Sequence, residues 1–304
     1  MAGSQDFAPD PRNDALLVHL DGALVPAAEA RVSVFDAGFG LGDGVWEGLR
    51  LHKRALLFLD AHLDRLYAGA AAVRIDIGLS RDTMVTALRN LLIANGMIDG
   101  AHVRLMVTRG RKRTINQDPR HAIGPATIVI TAEHKRPAAT PGGGLDLRTV
   151  STRTTGPDMF DMRLNSHSRI GLIRALLEAI DLGGDEALML DPHGHVATCN
   201  ATNLFWVRNE TLFTSGDTYC FNGITRGNIV AACRAGAAKI VQGDFGIEHI
   251  HDCDEAFVTG TMGGVTPVRA IDGRALVVNG PVTRRVAAAY AAMKDADAAA
   301  HPIL

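Results

Sequence analysis

The chain has 304 residues, of which 47% are hydrophobic and 21% are charged, and its formal net charge is −2. This balance fits one large or two modest globular domains, and it predicts no basic face for nucleic acid. The longest apolar runs, such as 55–59, are too short to span a bilayer, and the polar N-terminal segment lacks the apolar core of a signal peptide, so we expect a cytoplasmic protein that contacts no membrane.

The first part of the chain predicts strands and two helices. Asp21-Gly22 interrupts an alternation of apolar and polar residues, as in a β-hairpin. Asp60 and Ser80 stand where helix N-caps are expected, and Gly96 stands where the second helix should end. The predicted elements are, in chain order, a hairpin at 15–26, strands on both sides of 52–54, helices at 61–73 and from Ser80 to Gly96, and strands at 102–110 and 126–133.

A linker and a second domain follow. Residues 134–144 contain two prolines, three glycines and no periodicity, which is typical of a linker. The sequence therefore predicts a small α/β domain at 1–133 and a larger α/β domain at 145–304. The predicted elements of the larger domain are a strand at 145–152, a helix at about 169–182, strands at 186–191 and 203–207 around a turn at 192–194, a helix after 223–226, a strand from Lys239, a strand at 255–260, a hairpin at 268–278 and a helix from Pro281.

The cysteines and histidines predict no metal site. The four cysteines include no CxxC pair, and the twelve histidines include no HExxH pair. In a cytoplasmic chain, we expect the cysteines to be reduced thiols.

Three glycine-rich stretches have a functional and an ordinary interpretation. Residues 36–50 end in Arg50, whose guanidinium suits a phosphate, although a tight connection would look the same. Residues 223–230 place Gly-Ile-Thr ahead of a helix, which favours an anion, although Thr225 is also a plain N-cap candidate. Residues 258–268 run from a strand into a glycine-rich turn with Thr261 at its mouth, which suits either a phosphate contact or an ordinary loop.

Together these stretches resemble the fold-type-IV pyridoxal-phosphate (PLP) enzymes, the class IV aminotransferases. That class includes branched-chain and D-amino-acid aminotransferases, R-selective amine transaminases and aminodeoxychorismate lyase. The motifs occur in family order from about residue 30 to 285. They are D-x-G-x3-GDGV-x-E-x-x-R, H-x-x-RL, TRG, G-x-DEALxLD, NLF, GITR, DEAFVTGT and TPV.

The resemblance implies both a fold and a cofactor site. The implied fold is a small α+β domain and a larger α/β pseudo-barrel domain, in a homodimer with PLP in the cleft between the domains. The family's phosphate-binding positions are matched here by Arg50, Ile224, Thr225 and Thr261. Positions around the family's substrate pocket are matched by Phe39, Arg104, Met262 and Gly263. The implied substrate is a small amino acid, keto acid or amine.

Two further arginines follow the TRG motif. Arg111 and Arg113 are candidates to bind a substrate carboxylate as bidentate forks, and a solvated loop is the alternative interpretation. With Arg50 and Arg104, they indicate a small-molecule substrate that carries an anionic group.

The lysine that the family requires is missing. In the family it lies about thirteen residues before the helix position occupied here by Glu178, forms the covalent link to the cofactor and moves protons. Counting back gives Asn165 without a gap, Leu164 with a one-residue gap and Arg169 in a shifted register. Neither an amide nor a permanently protonated guanidinium replaces an amine. Of the five lysines elsewhere, Lys112 in the loop after TRG is the one candidate substitute.

Thr198 is the second departure. Family members usually carry a glutamate here, which hydrogen-bonds the pyridine nitrogen of PLP and keeps it protonated. A threonine hydroxyl can donate only to a neutral nitrogen, so the ring becomes a weaker electron sink. Amino-group transfer needs both the lysine and this sink.

Cys199 and His167 are candidate catalytic groups of another kind. If both side chains face the cleft, they suit a cysteine–histidine hydrolase or lyase. The ordinary alternative is a small buried cysteine and a polar residue at a helix start.

Three hypotheses follow from the sequence. In the first, a class IV aminotransferase-like protein holds PLP non-covalently and its activity is altered. In the second, an enzyme has abandoned PLP and uses the same cleft for hydrolysis or elimination. In the third, the chain is a non-catalytic binding protein on an enzyme scaffold. Cofactor occupancy distinguishes the first hypothesis from the other two.

Overall fold

Two compact units make up the chain, for which the computed structural model describes residues 3–137 and 143–304. The N-terminal unit comprises Ala8–Arg136, Leu164–Arg169 and Lys294–Leu304. The C-terminal unit comprises Met1–Phe7, Pro137–Arg163 and Ile170–Met293. The short segment Leu164–Arg169 therefore belongs to the N-terminal unit, although its neighbours in the chain belong to the other. Residues 138–142 of the predicted linker lie outside the described residues, and the predicted domain boundaries stay predictions.

The first part of the chain contains eight strands and three helices within the described residues. They are β1 Phe7–Ala8, β2 Leu17–Leu20, β3 Ala23–Pro26, α1 Ala37–Leu41, β4 Gly44–His52, β5 Ala55–Leu56, α2 Leu59–Ala72, α3 Arg81–Ala94, β6 Ala101–Thr108, β7 Thr127–His134 and β8 Arg136–Pro137. In the described part of the N-terminal unit, an antiparallel sheet has the order β3-β2-β7-β6-β4-β5.

Helices α2 and α3 contribute the apolar core of this unit together with the sheet. Leu66 of α2 and Leu88 of α3 are at most 1% exposed and belong to one cluster with Leu49 of β4. Because side chains alternate along a strand, residues 46, 48 and 50 of β4 lie on the opposite face from Leu49. The site described below is built on that opposite face.

The predicted hairpin is confirmed, since Asp21 and Gly22 adopt positive φ angles of 48° and 93° between β2 and β3. Ser80 caps α3 as predicted by accepting a hydrogen bond from the Thr83 amide at 3.2 Å. The prediction that Asp60 caps the preceding helix is wrong. Phe58 is the cap residue of α2, in a left-handed conformation, and Asp60 lies inside the first turn, where a carboxylate still favours the helix dipole.

The second part of the chain contains nine strands and four helices within the described residues. They are β9 Leu145–Thr149, α4 Ile170–Asp181, β10 Glu186–Leu190, β11 Val196–Cys199, β12 Asn203–Arg208, β13 Thr211–Ser215, α5 Ile224–Arg234, β14 Ile240–Gly243, α6 Glu248–His251, β15 Glu255–Gly260, β16 Gly264–Ile271, β17 Arg274–Ala275 and α7 Pro281–Ala300. The described strands form a mixed sheet in the order β11-β10-β9-β16-β15-β12-β13-β14, with β17 paired to β16.

Two of these strands were not predicted, namely β11 and β13. Strand β11 pairs antiparallel with β10, so that Met189 lies opposite Thr198. The candidate residues Thr198 and Cys199 are therefore sheet residues rather than loop residues. The mixed helix-and-sheet class is confirmed. None of the described helices is both long enough and apolar enough to cross a membrane.

Candidate active site

The segment at 164–169 is fixed along the edge of β4. The amide of Trp46 donates to the carbonyl of Asn165 at 2.9 Å, and the amide of His167 donates to the carbonyl of Gly44 at 2.9 Å. Ser166 forms an isolated β-bridge with Val45. These backbone bonds place Asn165, the residue at the ungapped lysine position, beside Trp46 in the interior of the N-terminal unit.

Asn165 uses both ends of its side-chain amide within the protein. Its Nδ2 donates to the carbonyl of Trp46 at 2.5 Å, and its Oδ1 accepts a hydrogen bond from Nη2 of Arg169. The residue is 5% exposed. An amide held at both ends provides neither a nucleophile nor a mobile proton, so this segment contains no substitute for a lysine amine. Leu164, the gapped alternative, is apolar and half-buried.

Arg169 and Arg104 both contact the indole ring of Trp46. The Arg104 guanidinium carbon lies 4.0 Å from the ring centre and that of Arg169 lies 5.2 Å from it, which is the range of cation–π contacts. Burial and the neighbouring charges of Arg104 and Arg65 lower the pKa of Arg169 to about 10. Arg169 therefore remains protonated at neutral pH and is not a general base.

Arg50 lies on the same face of β4 as Trp46, four residues further along the strand. Its Nη1 donates to the carbonyl of Lys135 at 2.6 Å, and burial lowers its pKa. His102 lies opposite Arg50 on β6. Burial and the nearby charges of Lys135, Arg104 and Arg50 lower the pKa of His102 to about 3. This face of the N-terminal sheet is therefore cationic, with a neutral histidine between its arginines.

The other candidate residues of the N-terminal unit lie in loops or in a short helix. Phe39 of α1 is 75% exposed, and Arg111 and Arg113 are exposed. Neither of these two arginines forms an ion pair with a residue that the structure describes. Lys112 between them is 1% exposed, and its amine donates to the carbonyl of Asn116. Burial inside its own loop counts against Lys112 as the substitute amine.

Glu47 explains why the family pattern contains a glutamate and an H-x-x-R pair. Its carboxylate is fully buried and accepts hydrogen bonds from His62 at 2.6 Å and from Arg65 at 2.7 Å. Burial would raise the pKa of Glu47, but the hydrogen bonds from Arg65 and His62 outweigh it and lower the pKa. These motif residues fasten α2 to β4 and lie on the core face of the strand.

In the C-terminal unit, the hydroxyl of Thr198 forms hydrogen bonds within the protein. Its Oγ1 donates to the carbonyl of Thr202 at 2.9 Å and accepts from Nδ2 of Asn203 at 3.4 Å. Thr202 in turn donates to Glu186 at 2.6 Å. Glu186 is fully buried, and burial raises its pKa. The hydroxyl proton of Thr198 is therefore already used in a hydrogen bond within the protein, so it is not free for the pyridine nitrogen of a cofactor.

Cys199 and His167 lack the properties of a nucleophile and its base. Cys199 is 3% exposed and belongs to the apolar core of the C-terminal unit. Burial and the nearby Glu186 raise the pKa of Cys199 well above that of a free thiol, so it is not a thiolate at neutral pH. Burial lowers the pKa of His167, and its Nε2 lies 3.2 Å from the carbonyl oxygen of Val45.

The candidate phosphate residues of the C-terminal unit belong to two elements in contact, α5 and β15 with the turn that follows it. Gly223 is the N-cap of α5, and no side chain caps this helix start. The first amides of a helix, here those of Ile224 and Thr225, have no partner within the helix and attract anions. A Cβ on Gly223 would lie 2.4 Å from Oδ1 of Asn203. Asn203 is paired with Thr259, two residues before Thr261, and its Nδ2 donates to the carbonyl of Phe221 at 2.7 Å, two residues before Gly223.

The β15–β16 turn contains Thr261, Met262 and Gly263. Met262 is 7% exposed, and a Cβ on Gly263 would lie 2.7 Å from Oγ1 of Thr266. The hydroxyl of Thr259 is buried and has no hydrogen-bond partner among the described residues. A buried hydroxyl without a partner, next to an uncapped helix start, is typical of a place where a ligand supplies the missing acceptor.

Sequence reasoning missed four residues that hold these groups in place. Trp46 anchors Asn165, Asn203 donates to the carbonyl of Phe221 ahead of Gly223, and Glu186 ends the Thr198 network. Arg226 fixes the start of α5 through Asp217 at 2.7 Å and the carbonyl of Ser215 at 2.5 Å. The sequence could have indicated Trp46, because it lies four residues before Arg50 on a predicted strand and therefore on the same face.

Comparison with known proteins identifies close relatives. Residues 44–271 match the family Amino-transferase class IV. The chain is 37% identical over 289 residues to branched-chain-amino-acid aminotransferase-like protein 2 of Arabidopsis thaliana, which covers 94% of this chain and 52% of that protein. It is 33% identical to the putative branched-chain-amino-acid aminotransferase of Methanocaldococcus jannaschii, over 88% of this chain and 93% of that protein.

A solved structure supports the same relationship. The branched-chain aminotransferase of the thermophilic archaeon Thermoproteus uzoniensis with norvaline superposes with a TM-score of 0.87 at 27% identity, covering 95% of this chain and 100% of that one. The chain spans about half the length of the Arabidopsis relatives that it matches.

Proposed function

The chain belongs to the Amino-transferase class IV family, and from that premise we propose that it binds PLP non-covalently and has lost efficient amino-group transfer. The observation that carries the proposal is Asn165, the residue at the ungapped lysine position, because both ends of its amide are bonded within the protein. We further propose that the protein is a cytoplasmic homodimer.

The described residues suit the phosphate of PLP but not its covalent link to a lysine. An uncapped helix start at Gly223 and the unpartnered Thr259 hydroxyl suit a phosphate. Within the N-terminal unit, the guanidinium of Arg50 is the group proposed to suit a phosphate. The covalent link does not fit, because residues 161–179 contain no lysine.

PLP, when bound, supplies an electron sink for chemistry at an amine. The chain offers little to complement that chemistry. Asn165 cannot accept a proton, and Arg169 keeps its proton at neutral pH because its pKa is about 10. Thr198 donates its hydroxyl proton to a backbone carbonyl. A missing general base alone costs roughly 10²- to 10⁴-fold in rate, so a slow or altered reaction is expected.

An anionic small molecule is the proposed substrate or ligand beyond the cofactor. Arg104 is exposed, contacts Trp46 through its guanidinium and forms no ion pair with any described residue. Arg111 and Arg113 likewise form no ion pair with any described residue. Guanidinium groups with unused N–H donors suit carboxylates. A small amino or keto acid therefore remains the proposed substrate class.

The cofactor-independent hydrolase has weaker support. It needs a reactive thiolate, and burial raises the pKa of Cys199. A purely non-catalytic binding protein is compatible with the same residues, and turnover measurements separate it from the proposal.

The test is a PLP titration followed by absorption spectroscopy, with borohydride reduction and mass spectrometry of the product. We expect saturable binding, the spectrum of the free cofactor and no covalent adduct. An Arg50→Gln variant should bind more weakly, because it loses a charge-assisted phosphate contact. An adduct that disappears in Lys112→Arg would show that Lys112 is the missing amine. Absence of binding would refute the cofactor part of the proposal.

A further inference from the structure

Glu186 of β10 is a buried carboxyl group without a cationic partner among the described residues. It is 2% exposed and accepts hydrogen bonds from the amide of Ser4 at 3.3 Å, from the hydroxyl of Ser4 and from the hydroxyl of Thr202 at 2.6 Å. Burial raises the pKa of Glu186 more than these hydrogen bonds lower it. Because a buried acceptor is costly without its donors, Glu186 holds Ser4 and Thr202 in place.

Stability alone does not explain a carboxyl group at this position. Apolar side chains of similar volume are often as stable as a buried ionisable group with its partners, or more so. The hydrogen bonds add direction, because each one fixes the distance and the angle between two groups. Glu186 therefore favours one arrangement of the two segments that it joins, the segment that contains Ser4 and the segment that contains Thr202.

Ser4 lies in the N-terminal segment, residues 3–7, which belongs to the C-terminal unit. Residues 5–7 are exposed, whereas Ser4 is 8% exposed. The carbonyl oxygen of Ser4 lies 3.8 Å from the position that a Cβ on Gly263 would take. Ser4 is therefore the residue through which this segment reaches both Glu186 and the β15–β16 turn.

Thr202 approaches the same turn from its other end. It is 7% exposed, and its Cγ2 lies 3.5 Å from the position that a Cβ on Gly260 would take. Gly260 directly precedes Thr261, a candidate phosphate residue. The two residues that donate to the buried carboxyl group therefore lie next to the two ends of the β15–β16 turn.

Asn203, the residue after Thr202, connects the same place to the start of α5. Its Nδ2 donates to the carbonyl of Phe221 at 2.7 Å, two residues before Gly223. On its strand, Asn203 is paired with Thr259, whose buried hydroxyl has no hydrogen-bond partner among the described residues. The chain at 202–203 therefore touches both elements that are proposed to hold a phosphate.

We propose that Ser4 and Glu186 are positioning residues for the phosphate site of the C-terminal unit. Ser4 orients Glu186, Glu186 orients Thr202, and the chain at 202–203 then holds the start of α5 and the β15–β16 turn in the arrangement that binds the phosphate. Binding groups need such support from the residues behind them to stay in a productive geometry. The inference rests on the proposed function, in which PLP is the ligand, and it names what keeps the site of that ligand in shape.

The first experiment measures the affinity of the full chain for PLP and for pyridoxal, which lacks the phosphate, by absorption titration. Ser4→Ala should lower the affinity for PLP by about 3- to 30-fold, as expected for a residue that acts through a network. The affinity for pyridoxal should stay unchanged. Ser4→Thr keeps the hydroxyl and should recover most of the affinity for PLP. An equal loss for both ligands in Ser4→Ala would overturn the proposal.

Ser151→Ala is the matched control for Ser4→Ala. The amide and the hydroxyl of Ser151 also donate to a glutamate of the same unit, Glu178. The remaining hydrogen bonds of Glu178 come from Thr152, so this pair is not part of the connection from Ser4 to α5. Ser151→Ala should leave the affinity for PLP unchanged.

A double-mutant cycle tests whether the two donors act through the same carboxyl group. Thr202→Val removes the hydroxyl that bonds Glu186 and should also weaken the binding of PLP. Combining it with Ser4→Ala should cost less than the product of the two separate fold-losses, because residues of one network are not independent. Combining Thr202→Val with Ser151→Ala should give the full product. Independent effects of Ser4→Ala and Thr202→Val would overturn the shared route through Glu186.

Hydrogen exchange tests the connection without any cofactor. The amides of residues 221–226 should exchange about 3- to 30-fold faster in Ser4→Ala than in the wild type, because the start of α5 is held less firmly. In Ser151→Ala they should exchange at the wild-type rate.

The outcomes separate the inference from the proposed function. A wild type that binds PLP, together with a Ser4→Ala variant that has unchanged affinity and unchanged exchange, would overturn the inference and leave the proposed function standing. A wild type that does not bind PLP would overturn the proposed function. The exchange rates would then still confirm or overturn the connection from Ser4 to the start of α5.

Discussion

The start of α5 and the segment at 164–169 match the motifs of the class IV aminotransferases to different degrees. The start of α5 keeps the Gly-Ile-Thr-Arg sequence, an uncapped helix end and a supporting ion pair from Arg226 to Asp217. The segment at 164–169 is fixed along β4, and the ungapped count places Asn165 where the family resemblance implies a lysine. One region has an uncapped helix start, which suits a phosphate, whereas the other contains no lysine.

In the proposed function, cofactor binding and catalysis depend on different parts of the chain. Phosphate binding at a helix start uses backbone N–H groups, which survive most substitutions provided that the backbone keeps its path. Proton transfer depends on one side chain of suitable pKa, and a single substitution removes it. A family member can therefore keep its cofactor site while it loses its catalyst.

The largest expected effect comes from Asn165→Lys. The variant places an amine where burial and the charges of Arg169 and Arg104 lower its pKa, which favours a reactive amine. We expect a covalent PLP adduct after borohydride reduction where the wild type gives none. Amino-group transfer should rise between roughly 100- and 10,000-fold.

Asn165→Met is the matched control for that gain. It removes the amide and supplies a side chain of similar length without an amine, so no adduct should form. If Asn165→Lys also yields no adduct by mass spectrometry while it still binds PLP, then 165 is not the lysine position, and Arg169→Lys becomes the variant that tests the shifted register.

Gly223→Ala tests the start of α5, where the Gly-Ile-Thr-Arg motif is present. The new Cβ would lie 2.4 Å from Oδ1 of Asn203, so the helix start or Asn203 must move. Overpacking of this kind costs about 1–3 kcal/mol, and we expect PLP affinity to fall roughly 10- to 100-fold in the titration. Gly227→Ala in the same helix meets nothing within 4 Å and should leave the affinity unchanged. Equal losses in both variants would mean that the start of α5 does not bind the phosphate.

The cationic face of the N-terminal sheet predicts a loss of stability in acid. His102 has a folded-state pKa of about 3 because of burial and of nearby Lys135, Arg104 and Arg50. Its unfolded-state pKa is about 6.5, so the unfolded chain binds the proton more readily. Stability from this residue is therefore complete above pH 6.5 and is lost as the pH falls towards 3.

At pH 5, the expected loss from His102 is about 2 kcal/mol. It can be measured as the difference in urea unfolding between pH 7 and pH 5. His102→Gln removes the titrating group and should make this difference smaller. If the variant shows the same difference as the wild type, then His102 is not responsible for the acid sensitivity.

The sequence predicted the fold well where short-range signals agree with tertiary structure. The Asp21-Gly22 hairpin and the Ser80 cap depend on local backbone preferences that the residues themselves reveal. Strand β11 was missed because Val196–Cys199 is short and buried on both faces, so it shows no alternation. Asp60 looked like a cap because the left-handed turn at Phe58 leaves no mark in the sequence.

The candidate site was predicted in part, for a different reason. Arg50 and Thr225 could be named from motifs, whose spacing is fixed along the chain. The partner of Asn165 could not, because Trp46 lies 119 residues earlier and meets it through a backbone contact. The burial of Cys199 was also hidden, since a cysteine looks the same in sequence whether it is a nucleophile or a core residue.

Thr198→Val is expected to have the smallest effect of these variants. The hydroxyl of Thr198 donates to the carbonyl of Thr202 at 2.9 Å, and valine has the same shape without that donor. We expect a loss of about 1 kcal/mol in the free energy of unfolding, measured with urea, because one buried hydrogen bond disappears. Thr198→Ser keeps the donor and should avoid most of that loss. PLP affinity and the absorption spectrum should stay unchanged in both variants, since the hydroxyl serves the protein and not the cofactor. A shift of the cofactor spectrum in Thr198→Val alone would show that this threonine contacts the pyridine ring, and that the catalytic end of the site is less degraded than the segment at 164–169 indicates.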